Sequence, residues 1–249
     1  MIEIIEEGKE QNKEEEGDGT EGYQNIFINP NEIPNNNTDD DNNGKEDDWR
    51  GWDFEDDDND PTPNSGNSHG THVAGIASAK TNNNNTGIAG VAGGNNSQGV
   101  QLLPLKVDFG TDPQNIIKAI QYATLMNVDV INMSFGGAST SSPAERSAIQ
   151  AAYNDGIILV AGSGSSGTNS VWYPAALKEV IAVGASNQMD QRLSTSNFDD
   201  AVLAVSAPGE AIWSTLPGNQ YGNSNGTSMA TPMVAGTAAL MKCANPCLS

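Results

Sequence analysis

The sequence predicts an α/β fold, a mostly parallel sheet flanked by helices on both faces, and three observations carry that prediction. From about Val100 onward, short β-branched runs alternate with helix-like segments. The runs are continuously apolar, so both faces of the sheet they form must be covered. Two stretches without a charged residue, Pro61–Ala79 and Asn219–Met241, are dense in Gly, Ala, Ser and Thr and read as loops feeding buried helices.

Taken in order, Val100–Val107 is a strand. Asp112–Asn127 is a helix with Asp112 as cap, Pro113 in its first turn, and Ile116, Ile120 and Ala123 spaced along one buried face. Val128–Phe135 returns as a strand. Ser142–Asn154 opens on a capping box, in which Ser142 accepts from the amide of Glu145 and the Glu145 carboxylate reaches back, and Gly156 terminates it. Ile157–Ala161, Val180–Ala185 and Val202–Ala207 continue the strands. Ser228–Met241 is small or apolar nearly all round, which a helix tolerates when protein surrounds it.

The chain has 249 residues and a formal charge of −21, and residues 1–60 hold 22 of its 32 acidic but only 4 of its 11 basic residues. The remainder has the near-neutral balance of an ordinary compact domain. Such acidity argues against a nucleic-acid partner. No apolar run approaches the roughly 20 residues of a bilayer span, and Met1–Glu21 is acidic where an export signal is basic and apolar. Cys243 and Cys247, the only cysteines, are either two thiols or a local bridge.

Chemistry concentrates in two strings, Asn67-Ser68-His69-Gly70-Thr71-His72-Val73-Ala74-Gly75 and Asn225-Gly226-Thr227-Ser228-Met229-Ala230-Thr231-Pro232. One offers an imidazole and the other a hydroxyl at a helix start. A serine alcohol attacks well only when a neighbouring base takes its proton, and helix-start amides face the negative charge that then develops. With Leu103-Pro104-Leu105-Lys106-Val107 and Asn132-Met133-Ser134-Phe135-Gly136-Gly137 between them, these strings closely resemble the subtilisin-like serine peptidases, the subtilases. The likeness runs from about Tyr23 to Leu248 and takes in Asn25-Ile26-Phe27-Ile28-Asn29-Pro30, Gly51-Trp52-Asp53-Phe54, Ala207-Pro208-Gly209 and Ser214-Thr215-Leu216-Pro217-Gly218.

The resemblance implies that His69 is the general base and later the acid, that Ser228 is the nucleophile, and that His72 is structural. It also implies that Ser134, Phe135 and Gly136 form a strand edge that binds extended polypeptide, with Phe109 and Gly110 facing it across the groove. Two positions depart from the family pattern. The triad carboxylate, normally an Asp in an early apolar strand, has its nearest counterpart in Glu6 of Ile2-Glu3-Ile4-Ile5-Glu6-Glu7-Gly8. The Asn that donates to the oxyanion is replaced by Ser165, whose side chain is about 1.4 Å shorter, leaving the Ser228 amide as the other donor.

The acidic run is patterned as a calcium loop: Asp39, Asp41, Asn43 and Asp47 fall at positions 1, 3, 5 and 9, Lys45 offers its backbone carbonyl at 7, and Gly44 is at 6. Arg50 stands where the loop's usual bidentate Glu would be. Many subtilases carry a similar acidic insertion, which adds weight to calcium. The expectation is therefore a monomeric serine endopeptidase acting on polypeptide, without nucleic-acid or membrane partners and extracellular by resemblance. The alternative is a catalytically impaired relative that binds peptides without efficient cleavage. Residues 1–22 read as an acidic segment replacing or degrading the first strand region, and 23–249 as the subtilase-like catalytic domain, truncated at its C-terminal end.

Overall fold

The computed structural model describes residues 25–64, 66–83, 87–94, 99–107, 112–137 and 140–246, together with the backbone of Ile2–Glu6. Phe109, Gly110 and Cys247 lie outside the described residues. The elements in chain order are β1 (Ile2–Glu6), β2 (Trp52–Asp53), α1 (His69–Ser78), β3 (Gln101–Lys106), α2 (Pro113–Leu125), β4 (Val130–Met133), α3 (Pro143–Asn154), β5 (Ile158–Gly162), β6 (Val180–Ser186), β7 (Val205–Pro208), β8 (Ile212–Leu216), β9 (Gln220–Ser224) and α4 (Thr227–Ala244). Seven strands form one sheet in the order β2-β3-β1-β4-β5-β6-β7, and β8 and β9 form a separate hairpin.

Every pair in the sheet is parallel except those made by β1, which runs antiparallel to both β3 and β4. The expected coverage of both faces holds. Leu103, Leu105, Ile131, Met133, Leu159 and Ala161 enter the core beneath α2 and α3, while the alternate residues Leu102, Val130 and Val160 meet Ala74, Ala77, Ala230 and Ala235 of α1 and α4. Small side chains on α1 and α4 let those helices sit close to the sheet and to each other. At Gly162 a Cβ would stand 3.1 Å from both Thr227 Oγ1 and Thr231 Oγ1, so β5 and the start of α4 approach at a distance that only glycine permits without a shift.

The caps follow the sequence. Asp112 accepts from the Gln114 amide, and the Ser142 hydroxyl accepts from the Glu145 amide at 3.1 Å. The return half of the box differs: the Glu145 carboxylate accepts from the Ser141 hydroxyl at 2.7 Å. The hairpin β8–β9 was not legible as strands, because Ile212–Leu216 and Gln220–Ser224 mix polar and aromatic residues without a clear alternation. Its turn is closed by Gly218 and Asn219, both at positive φ. His72 ties α1 to this hairpin, its Nε2 donating to the carbonyls of Ile212 at 3.0 Å and Gly222 at 3.1 Å. Among the described residues no helix is long and apolar enough to cross a membrane.

Candidate active site

A cleft of about 390 Å³ opens at the C-terminal ends of β4 and β5, and its lining includes His69, Ser134, Phe135, Gly136, Ser165 and Ser228. Residues separated by up to 159 positions in sequence thus share one wall. Parallel strands place all their C-terminal ends on one edge, and the loops leaving that edge converge. Here the segments leaving β4 and β5 supply Ser134–Gly136 and Ser165, and the first turns of α1 and α4 bring His69 and Ser228 to the same edge.

His69 is the first residue of α1, and the Asn67 side-chain carbonyl accepts from its amide at 3.3 Å. Burial at the cleft wall lowers its imidazole pKa from 6.5 to about 4, and the nearby His72 adds to the effect. The ring is therefore neutral at physiological pH, the form a general base needs. Ser228 lies in the first turn of α4, where backbone amides have no helical acceptor and the dipole is positive. Gly226, at φ 131°, makes the sharp entry: a side chain there would be strained and its Cβ would meet Ser165 Oγ at 3.1 Å.

Ser134 and Ser228 are bonded reciprocally. The Ser228 hydroxyl donates to the Ser134 carbonyl at 3.0 Å, and the Ser134 hydroxyl donates to the Ser228 carbonyl at 2.9 Å. Pro232 explains the second bond. It sits four residues after Ser228 and has no N–H, so the Ser228 carbonyl lacks its helical donor and takes one from across the cleft. Asn132 completes the chain by donating to the Ser134 hydroxyl at 3.0 Å.

Ser165 does stand in the cleft, with its hydroxyl 3.2 Å from Thr227 Oγ1 and accepting from the Thr227 amide at 3.3 Å. Its loop is shaped by a residue that sequence reasoning missed. Asn197, fully buried, accepts at Oδ1 from the amides and hydroxyls of both Ser166 and Thr168. A single Asn in a Ser- and Thr-rich stretch carries no local signal of this. Trp172 was likewise missed; it packs against Gly164, where a Cβ would lie 2.6 Å from the indole.

Glu6 is not brought to this cleft. Its backbone is paired with Gln101, at the start of β3, while Ile2 is paired with Leu105 and Met133 at the cleft end. At about 3.3 Å per residue, the four steps from Ile2 put the Glu6 backbone about 13 Å along the sheet from the cleft end. The apolar run Ile2–Glu6 does form a strand, and the structure sets it between β3 and β4, antiparallel to both. A run of apolar residues has no polarity, so the sequence pattern is the same for either orientation.

The acidic loop is also rearranged relative to its sequence reading. Oxygens of Glu32, Asp39 and Asp41 converge to within 4.8 Å of one another. Asp47 turns away and accepts from the amides of Asn36 at 2.9 Å and Asn37 at 2.8 Å. Asn43 spends its side chain on Asp48 and on the Lys45 amide, and the Lys45 ammonium pairs with Asp57 at 2.7 Å, stacked over Trp52. Burial pushes the Glu32 carboxyl above its ordinary range, against the lowering effect of the amides of Asp41 and Asp40. Asp48 is pushed the same way by burial, and the Tyr122 hydroxyl of α2 donates to it. Glu32 was missed because it lies seven residues before the patterned loop.

Comparison with known proteins follows this geometry. The chain is 47% identical to Subtilisin DY of Bacillus licheniformis over 138 residues, covering 54% of this chain and 50% of that protein. It is 42% identical to Subtilisin BL of Lederbergia lenta over 163 residues, covering 61% and 60%. The chain thus spans about half the length of such curated relatives. Among solved structures, the prenylagaramide maturation protease PagA superposes with a TM-score of 0.62 at 30% identity, covering 72% of this chain and 66% of that one. The family model of peptidase S8 matches residues 14–249, so the chain belongs to the subtilase family.

Proposed function

We propose that the protein is a serine endopeptidase that binds extended polypeptide along Ser134–Gly136 and attacks it through Ser228, with His69 as general base. The observation that carries this reading is the convergence of His69, Ser228 and Ser134–Gly136 on one cleft. An incoming substrate amide needs the Ser134 carbonyl as its acceptor, and that carbonyl is held by the Ser228 hydroxyl in the resting state. Substrate binding therefore displaces the hydroxyl from its acceptor and frees it for the imidazole. His69 takes the proton as the Ser228 oxygen bonds to the scissile carbonyl carbon, and returns it to the leaving amine when the C–N bond breaks. The Ser228 amide and the Ser165 hydroxyl supply donors to the oxyanion.

A second reading, a peptide-binding relative with little cleavage, draws on the placement of Glu6 and on Ser165. Capture by an alkyl fluorophosphonate separates the two without a known substrate. Stoichiometric labelling supports the peptidase; a protein that melts cooperatively and is not labelled is the binding relative. The pH profile of labelling tests the base. Since the imidazole pKa lies below that of an exposed histidine, the neutral form persists as pH falls, and the labelling rate stays on its plateau down to about pH 5. An acid limb near pH 6.5, on protein shown folded by circular dichroism, contradicts that assignment.

Ser165→Ala should lower kcat on a peptide amide by about 10², with KM little changed, because removing one oxyanion donor costs on the order of 10²–10³. An unchanged kcat removes Ser165 from the oxyanion role. The Asp39–Asp47 loop is proposed to hold calcium as a structural ion, supported by the convergence of Asp39 and Asp41 with Glu32. Polypeptide is the proposed partner, the monomer the proposed state and the exterior of the cell the proposed setting.

A further inference from the structure

We propose that Trp172 sets the substrate preference of the cleft: its indole fills the slot beside Ser228, so the residue whose carbonyl is attacked must be glycine or alanine. This rests on the serine endopeptidase reading and narrows its substrate class. The cleft lining divides by chemistry. His69, Ser134, Ser165 and Ser228 present the groups that handle the proton, the substrate backbone and the oxyanion, while Gly136, Gly164 and Trp172 form a wall without hydroxyl or charge. A substrate residue whose amide reaches the Ser134 carbonyl and whose carbonyl lies at Ser228 spends both backbone groups on the polar wall. Its side chain is left facing the bare one.

Gly136 follows β4 and Gly164 follows β5, and two glycines so placed would leave an open slot between the strand ends. Trp172 closes it. At Gly164, whose φ is 105°, a Cβ would lie 2.6 Å from Trp172 Cδ2 and 2.8 Å from its Cγ, so the indole rests directly on the glycine backbone. At Gly136 a Cβ would stand 3.4 Å from Trp172 Cβ, in ordinary contact with the stem of the same side chain. The backbone that carries the indole is held on both sides. The Trp172 amide donates to the Ser163 carbonyl at 3.0 Å, and Tyr173 and Gly137 exchange amide-to-carbonyl bonds at 3.0 Å each. With both walls fixed to the sheet, a bulky substrate side chain competes with the indole for the same space. One methylene in such a pocket changes the rate by about 10–200-fold, and a whole ring exceeds it by several heavy atoms.

The test fixes the register by covalent capture. In a peptidyl diphenyl phosphonate, phosphorus replaces the scissile carbonyl carbon; the Ser228 oxygen bonds to it, and a phenoxide leaves with the serine proton by way of His69. One probe carries the alanine side chain at that position and the other the phenylalanine side chain. Each rate is divided by that of the alkyl fluorophosphonate, which has no side chain to place, so a weak serine and a blocked slot read differently. In the parent, the alanine probe is expected to react at least about 10² faster than the phenylalanine probe. In Trp172→Ala the phenylalanine probe should gain at least about tenfold on the alanine one, and in Trp172→Leu, which keeps an apolar filler if the smaller residue fails to fold, the shift should be smaller with the same sign. A parent that takes phenylalanine as fast as alanine overturns the proposal. So does an unchanged ratio in variants that retain fluorophosphonate capture. If the parent is not captured at all, the peptidase reading falls and the slot is read by equilibrium binding to Ser228→Ala, using acetylated tripeptide acids that end in alanine or phenylalanine and whose carboxylate meets the amides at the start of α4. Tighter binding of the alanine acid, lost when Trp172→Ala is added, upholds the slot; equal or reversed affinities overturn it.

Discussion

Ser228→Ala is expected to abolish fluorophosphonate capture and to lower peptide hydrolysis to the background of the assay, by about 10² in kcat, because loss of the carboxylate alone already removes about 3 × 10⁴ of the roughly 2 × 10⁶ that a complete triad supplies. The reason is that Ser228 carries a cleft hydroxyl at the start of α4, where backbone amides are open to the oxyanion, in the cleft that His69 also lines. His69→Ala should be nearly as damaging, and the double variant no worse than either single one, since nucleophile and base act as a unit. The stability cost is small by comparison. Removing the hydroxyl forfeits its bond to the Ser134 carbonyl, about 1 kcal/mol, and leaves the Ser134-to-Ser228 bond in place. Labelling that survives in Ser228→Ala, confirmed folded by its melt, would place the reactive residue elsewhere and end the assignment.

The largest expected loss of stability comes from Asp53→Ala. Asp53 and Lys106 form a buried ion pair, with side chains 2% and 7% exposed. The Asp53 carboxylate also accepts from the Glu55 amide at 2.7 Å, and the Lys106 ammonium donates to Asn64 at 3.1 Å. Burial opposes the lysine's charge, but the hydrogen bond and charge of Asp53 outweigh it and raise the ammonium's pKa above its usual value. Deleting Asp53 strands that charge beside Glu55 at 3.7 Å and Asp56 at 3.6 Å, both better solvated and more weakly coupled. The expected cost is about 3–5 kcal/mol, read as a Tm lower by about 10 °C or more. Asp53→Asn with Lys106→Met should recover much of it, because the burial penalty leaves with the pair. A Tm within 2 °C of the parent in the single variant, about half a kcal/mol, contradicts this account. Asn64 leads into the His69 loop, so the same variant is expected to slow labelling as well.

Much of this was legible because it is local. Asp112-Pro113 and Ser142-Pro143 open helices by hydrogen bonds made within three residues, and both caps stand where the sequence puts them. The continuous apolarity of Val130–Met133 and Ile158–Gly162 announced a doubly covered sheet for an equally simple reason: a strand flanked by helices has no wet face. The strings around His69 and Ser228 were readable because they resemble those of the subtilases, and the structure places both residues in the cleft lining with glycine at the entry to α4. What failed was long-range. The Ser134–Ser228 exchange depends on a proline missing one donor and a strand supplying another, and no sequence window contains both.

The sequence by itself determined the layers and the caps, since these follow from periodicity and short-range chemistry, whereas the pairing of His69 with Ser228 is what the likeness of their strings to the subtilases implies. Only the tertiary structure decided that β1 runs backward and carries Glu6 away from His69, that Asn197 shapes the Ser165 loop, and that Glu32 replaces Asp47 among the converging acids. Strand direction and carboxylate convergence are settled by pairing partners far along the chain. A hydrophobic pattern is blind to both, because burial depends on which atoms leave water and not on which way the backbone points.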